Sequence, residues 1–553
     1  MNIEKYPVQM LQHWASTQPD KPWLFQPVRG KWQVTTWGQA ADQVARMASA
    51  LQALGREMGW EAGSRICISG RNTAHWFMAD LAIAMAGYVS VGLYPKQAQD
   101  NTRYIVAHSE AKALFLGPMP DGDIFMAALP PGIKTIAFPY PETPHGQLRW
   151  DDLVASHAPL PSWQPPSPET LMTLVYTSGT TGAPKGVMIT YGNVLFTARG
   201  ALALLPPEPG ERYFSYMPLA HAFERIALET ASFYTGAEVY FLEHVDKLAE
   251  QLPQAAPTRF FGVPLVYGRI QAGVLKKVPQ QKLDRLLAIP VVRGLVRRKI
   301  LAGIGLHNAR MCVVGAAPMP LPLLHWFRKI GLDIYQGYGM TEATVYPTAC
   351  LPGQNRAGSV GKPLPDCGFK LSDEGEILFR HGGLMAGYYK EPELTAAAFT
   401  ADGYLRTGDR GHIDKDGFLY ITGRVKDIFK TAKGKYVAPA PIECAFARNT
   451  DIDQLMLAGS GLTQPILLVA LSEDARRKPR PEVERKLLAD MEAVNGTLEP
   501  HERIAKCVII RDAWSIDNGL MTPTMKVRRS AVEKRYADLI ERESVLRNAV
   551  SWE

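Results

Sequence analysis

Between Arg65 and Tyr94 the spacing of apolar positions changes twice. Arg65-Ile66-Cys67-Ile68-Ser69 reads as a short buried strand, Trp76 to Met85 as an apolar helix after a glycine turn, and Tyr88-Val89-Ser90-Val91 as a second strand. The spacing predicts a βαβ unit. Strand-like runs recur at Lys112–Leu116, Glu238–Phe241 and Arg310–Val314, each bounded by glycine, proline or helical pattern. Alternation of this kind predicts an α/β fold with mostly parallel sheets for the bulk of the chain.

After about Gly361 the texture changes. Gly375–Phe379 and Asp414–Ile421 read as short strands with Asp-Gly turn chemistry, which predicts hairpins and a β-rich subdomain. From about Lys426 the pattern returns to mixed α/β and closes with an amphipathic, charge-rich helix expected over Ser530–Glu543. The expected organisation is a large N-terminal domain of several subdomains over residues 1–425 and a small α+β C-terminal domain over 426–553.

Length agrees with this division, since 553 residues exceed what one hydrophobic core organises. The composition, 46% hydrophobic and 21% charged, is that of folded globular protein. The six cysteines (Cys67, Cys312, Cys350, Cys367, Cys444 and Cys507) form no CxxC pair and lie near no histidine at metal-ligand spacing. They read as reduced core residues of a cytoplasmic protein. The N-terminus shows no basic segment followed by an apolar run, and no apolar stretch approaches the ~20 residues that span a bilayer. Membrane contact is therefore expected to be peripheral, at the inner face.

A formal charge of +7 favours anionic partners without singling out nucleic acid. Part of it is concentrated between Leu275 and Ile300, where Lys276, Lys277, Lys282, Arg285, Arg293, Arg297, Arg298 and Lys299 face the single acid Asp284 and alternate with Leu, Val and Ile. Such a segment suits either an anionic membrane interface or an ordinary solvated helix pair.

The most informative stretch follows the apolar run Leu171–Tyr176. It comprises Thr177, Ser178, Gly179, Thr180, Thr181, Gly182, Ala183, Pro184 and Lys185, and a second strand leaves at Val187–Thr190. Glycines let a backbone approach an anion, while hydroxyls, amides and one lysine supply donors for a polyphosphate. A Walker A loop is excluded, because Lys185 is followed by Gly186 and a strand rather than by Ser or Thr and a helix. A polar surface turn is the alternative on composition alone.

This loop resembles the signature of the adenylate-forming superfamily. Further resembling segments follow in the family's order: Gly315-Ala316-Ala317-Pro318, Tyr335 to Glu342, Tyr404 to Asp409, Gly423 to Asp427, and Leu520 to Lys526. The resemblance implies an ATP site built from Thr177, Ser178, Gly179, Thr180, Thr181, Gly182, Lys185, Gly315, Ala316, Ala317, Pro318, Tyr338, Gly339, Met340, Thr341, Asp409 and Arg424. Within it Tyr338 is expected to stack on adenine and Asp409 to take the ribose hydroxyls. The resemblance also implies Mg²⁺ on Glu342, catalysis by Lys526 and Thr341, and a hinge at Lys426 that makes the C-terminal domain mobile. On pattern alone Tyr338 would be core filler, Asp409 a turn cap and Lys526 a solvated surface charge.

Ser215 to Arg225, Asn72 to Trp76 and Tyr88 to Pro95 resemble the long-chain fatty acyl-CoA synthetase group, with His221 beside the acyl carboxylate. The implied reaction activates a fatty acid as acyl-AMP with release of pyrophosphate and passes it to coenzyme A. The alternatives are an acyl-AMP ligase that serves a carrier protein and an idle lipid-binding relative. ATP, a fatty acid and coenzyme A are the expected partners, with an anionic membrane and a homodimer as further expectations and no nucleic acid.

Overall fold

The computed structural model describes residues 4–177, 183–446, 449–522, 526–546 and 548–553. Its largest sheet runs, from one edge, through Gly387–Tyr388, Lys185–Thr190, Leu171–Thr177, Val89–Leu93, Arg65–Ser69, Ala113–Leu116, Lys134–Ala137 and Leu148–Arg149. The six strands from Leu171–Thr177 onward pair in parallel, and the other two pair antiparallel at the edge. The βαβ unit is present, with Arg65 opposite Val89 and Ser69 opposite Leu93. Its helix, Ala74–Met85, is capped by the Thr73 hydroxyl and buried on nearly every side, which accounts for its lack of a polar face.

A second sheet orders Arg259–Gly262, Met311–Val314 and Ile334–Tyr338 in parallel and adds Thr348–Ala349 and Lys362–Pro363 antiparallel. The β-rich region is an antiparallel sheet of Gly368–Leu371, Glu376–Arg380, Leu405–Ile413 and Leu419–Arg424. Its last hairpin turns at Asp414, whose Oδ1 accepts the N–H groups of Asp416 and Phe418, while Gly417 takes φ +83°.

The C-terminal region has its own sheet, Ile452–Ala458, Ile466–Leu471, Lys506–Ile510 and Val550–Trp552. Successive residues of its strands enter opposite cores: Leu457, Leu467 and Val469 one, Met456, Leu468 and Ala470 the other. The single helix expected over Ser530–Glu543 is instead two, Arg529–Arg535 and Ala537–Ser544. The break falls at Tyr536, which leaves helical geometry (φ −109°, ψ 19°) and is buried. Among the described residues no helix is long and apolar enough to cross a membrane.

Candidate functional site

The site lies where the carboxyl ends of parallel strands from two sheets face each other, the position that open α/β sheets offer to ligands. From the large sheet, Leu171–Thr177 delivers the hydroxyl- and glycine-rich loop, and Thr177 pairs with Lys185 across it. Ser178, Gly179, Thr180, Thr181 and Gly182 lie outside the described residues. From the second sheet, Met311–Val314 ends at Gly315-Ala316, where Ala316 adopts φ +64°, and Ile334–Tyr338 leads into a single helical turn, Thr341–Ala343. Gly339 is required just before that turn: a Cβ there would lie 2.8 Å from the Val345 backbone.

Thr341 and Glu342 are both buried. Tyr388 Oη donates to Glu342 Oε1 at 2.9 Å, and the Tyr388 ring carries the Lys185 ammonium 5.1 Å from its centroid. One tyrosine thus ties the lysine of the phosphate loop to the carboxylate expected to meet the metal. Burial, and after it the Glu342 charge, raises the Tyr388 pKa, so it stays a donor. Among the described residues no three His, Cys, Asp or Glu side chains cluster closely enough to hold a metal alone. A single buried carboxylate fits Mg²⁺ that arrives with phosphates and keeps several waters.

Asp409 and Arg424 are opposite one another on adjacent strands, with Arg424 Nε 3.2 Å from Asp409 Oδ1. Tyr338 Oη donates to the other oxygen at 2.5 Å. The phenol therefore grips the carboxylate while its ring packs beside Phe379, 5.9 Å between centroids. Burial raises the Asp409 pKa, and Arg424, the Tyr338 hydrogen bond and Lys526 oppose that rise.

Lys526 reaches this group from the C-terminal region. Its loop is held by Thr522, which donates its N–H to the Lys526 carbonyl at 2.8 Å and accepts the Lys526 N–H on Oγ1 at 3.0 Å. Lys526 is exposed at the cleft rim yet crowded enough that loss of water, then repulsion from Arg424, lowers its pKa, with Asp409 acting against both. A Lys96–Asp517 pair at 3.3 Å fastens the same loop to the N-terminal region. Lys426 occupies an exposed turn just beyond Leu419–Arg424. The Thr431–Tyr436 stretch that follows faces solvent at Lys433, Gly434 and Tyr436.

His221 is positioned through a glycine. Gly92 lies in a strand of the large sheet, and a Cβ there would come 2.9 Å from Ala220 Cα, so only glycine lets the 218–221 segment approach. His221 Nδ1 accepts the Phe223 N–H at 3.2 Å, which leaves the proton on Nε2. Burial, and then Lys526, lowers the His221 pKa to about 4, so the ring is neutral at physiological pH. It is arranged to donate a hydrogen bond rather than to take a proton.

Behind His221 lies a buried network absent from the sequence reading. Glu224 Oε1 accepts from Asn72 Nδ2, Ser215 Oγ and the Tyr216 N–H at 3.2, 2.7 and 3.1 Å. Arg225 pairs with Asp80 and donates to Ser90 Oγ at 2.6 Å, on a π-helical stretch, Arg225–Thr230. Tyr388 was likewise missed. Nothing in its local spacing distinguishes it from a core tyrosine.

Two family models match this chain: an AMP-binding enzyme domain over residues 11–389 and an AMP-binding enzyme C-terminal domain over 426–543. The chain belongs to the AMP-binding enzyme family. The resemblance read from the sequence holds, and similar proteins extend it. This AMP-binding enzyme is 31% identical to the long-chain-fatty-acid–CoA ligase FadD15 of Mycobacterium bovis over 93% of both chains. It is 29% identical to the peroxisomal long chain acyl-CoA synthetase 7 of Arabidopsis thaliana over 96% of this chain and 85% of that one. Among solved structures, the carboxylate reductase adenylation domain from Mycobacterium chelonae matches with TM-score 0.83 at 20% identity, over 98% of this chain and 91% of that one. O-succinylbenzoate CoA synthetase from Bacillus subtilis, in complex with ATP and magnesium ion, matches with TM-score 0.74 at 22% identity over 95% of this chain and 99% of that one. These structural likenesses bear on the fold.

Proposed function

We propose that this enzyme is an AMP-forming long-chain fatty acid:CoA ligase. The observation that carries the reading is the grouping of Asp409 with Arg424 at 3.2 Å and Tyr338 at 2.5 Å, within electrostatic reach of Lys526 from the C-terminal region. ATP would bind with adenine against Tyr338 and the Gly315–Pro318 segment, ribose at Asp409 and phosphates between Lys185 and Thr341. Bound with ATP at Glu342, Mg²⁺ would neutralise charge on the phosphate oxygens.

A fatty carboxylate oxygen then attacks the α-phosphorus, the bond to the leaving pyrophosphate breaks, and acyl-AMP forms. Lys526 holds two mutually repelling anions together and stabilises charge on the phosphoryl oxygens. No protein nucleophile is needed, and removing one such donor costs about 3 kcal/mol, a hundredfold or more in rate. His221 Nε2–H orients the acyl oxygen.

In the second step the sulfur of coenzyme A attacks the acyl carbon, AMP leaves, and the thiol proton is lost to solvent or to the AMP phosphate. Lys426 serves as the pivot that withdraws Lys526 and brings Thr431–Tyr436 to the site. Kinship with long-chain-fatty-acid–CoA ligases supports a long-chain substrate. The test is AMP and acyl-CoA formation with MgATP, coenzyme A and acids of graded length. CoA-dependent thioester peaking at long chains supports the proposal; adenylate without thioester, or a peak at short acids, overturns it.

A further inference from the structure

We propose that the helical segment of residues 264–303 is the surface through which this enzyme docks on a bilayer bearing anionic lipid. The segment folds as three helices, Pro264–Lys277, Gln280–Ala288 and Pro290–Gly303. It holds nine Lys or Arg against one Asp, a net charge of +8. The rest of the chain, with 52 Lys or Arg and 53 Asp or Glu, has a net charge of −1. The net positive charge of the protein therefore resides in this one segment.

Two structural features separate this element from an ordinary solvated helix pair. First, Pro290–Gly303 contains no fully buried residue, and it presents Val291 at 92% and Leu295 at 70% exposure, with Ile289 at 47% just before it. Val291 and Leu295 are four residues apart and share an outward stripe, which Arg298 and Lys299 continue one turn later. Its inner side, through Val296 and Ile300, packs on the apolar core beneath. The exposed leucine and valine are thus not needed for folding.

Second, apart from Lys276, which lies 3.9 Å from Asp474 of the C-terminal region, the cations are uncommitted among the described residues. Arg293 and Arg297 donate to the Leu287 and Lys329 carbonyls at 2.9 and 3.0 Å, and among the described residues no carboxylate pairs with either of them or with Arg298 or Lys299. The one acid, Asp284, is already paired with Lys329. Apolar tips beside unneutralised Arg and Lys match the boundary between anionic headgroups and acyl chains. A purely electrostatic partner would leave the apolar tips without a role.

The segment is also joined to the site. Pro264–Lys277 begins two residues beyond Arg259–Gly262, whose Gly262 carbonyl accepts the Gly315 N–H at 3.2 Å. Its 14 residues span about 21 Å and end at Lys276 and Lys277. A bilayer docked there would lie at the far end of a helix rooted in the site. The docking does not depend on which acid the enzyme activates.

The experiment is co-sedimentation of the full chain with phosphatidylglycerol-containing and with pure phosphatidylcholine vesicles, without ATP or coenzyme A. The native chain should pellet with the anionic vesicles, less so as salt is raised, and not with the neutral ones. R298E/K299E should weaken binding roughly tenfold or more. V291E/L295E should weaken it as well, while V291A/L295A, which adds no charge, should have a smaller effect in the same direction. Secondary structure by circular dichroism should be unchanged in all three. Equal pelleting of native and variant chains, no pelleting of the native chain on anionic vesicles, or a loss confined to the charge reversals would overturn the proposal, the last in favour of a soluble polyanion.

Discussion

The N-terminal and C-terminal regions contribute to the site in opposite ways. The first sets its groups at the ends of strands and ties them to one another: Tyr338 to Asp409, Asp409 to Arg424, Tyr388 to Glu342. Among the described residues, the second contributes Lys526, from a loop held by Thr522 and an exposed ion pair of Asp517 with Lys96. On the proposed reading, binding groups are thus fixed and the catalytic charge is removable. That division would permit two reactions in one cleft, with the adenylate staying bound while the lysine departs.

The comparison can be broken by showing that a fixed group affects only one half-reaction. Asp409→Ala removes the partner of both Tyr338 and Arg424, and a loss of about a hundredfold or more is expected in adenylation and in thioester formation from supplied acyl-AMP alike. Steady-state rates of each half-reaction check this. Next, Lys426→Pro should slow thioester formation about tenfold or more while adenylation changes only a few fold, because proline restricts the turn and the residue before it. Single-turnover kinetics separate the two, and equal effects would remove Lys426 as pivot.

Tyr388→Phe breaks the link between Lys185 and Glu342, and loss of a hydrogen bond to a charged group is worth about 1.5–3 kcal/mol, so a tenfold or larger rise in the KM for MgATP is expected. A smaller effect concerns pH. Burial raises the Glu224 pKa to about 8, whereas its unfolded value is near 4.5. Between those values the folded chain holds a proton that the unfolded chain has lost, so this group's stabilisation is full below pH 4.5 and falls as pH rises toward 8. Glu224→Gln keeps the acceptor oxygen and should flatten that decline in thermal unfolding scans. His221 acts in the opposite sense: its lowered pKa makes stability fall as pH drops from about 6.5 to about 4.

Much of the framework was legible in sequence because strand and helix periods differ. The βαβ unit at Arg65–Leu93 and the Asp-Gly turn at Asp416–Gly417 came from local pattern and turn chemistry. Candidate site residues such as Asp409 and Lys526 carry no local signal and are singled out by resemblance alone. What escaped depends on long-range packing. Glu224 is reached by Asn72 from 152 residues away, and Tyr388 meets Glu342 across 46. The break at Tyr536 escaped as well, since no glycine or proline marks it. The role of Gly92 in admitting the His221 segment is a contact between distant backbones that no periodicity records.

The most direct test of a removable catalytic lysine is Lys526→Ala assayed in two halves: pyrophosphate release from MgATP and fatty acid, and acyl-CoA formation from supplied acyl-AMP. The account expects adenylation to fall about a hundredfold or more with thioester formation nearly unchanged. An equal loss in both would contradict it, because Lys526 would then belong to the fixed part of the site.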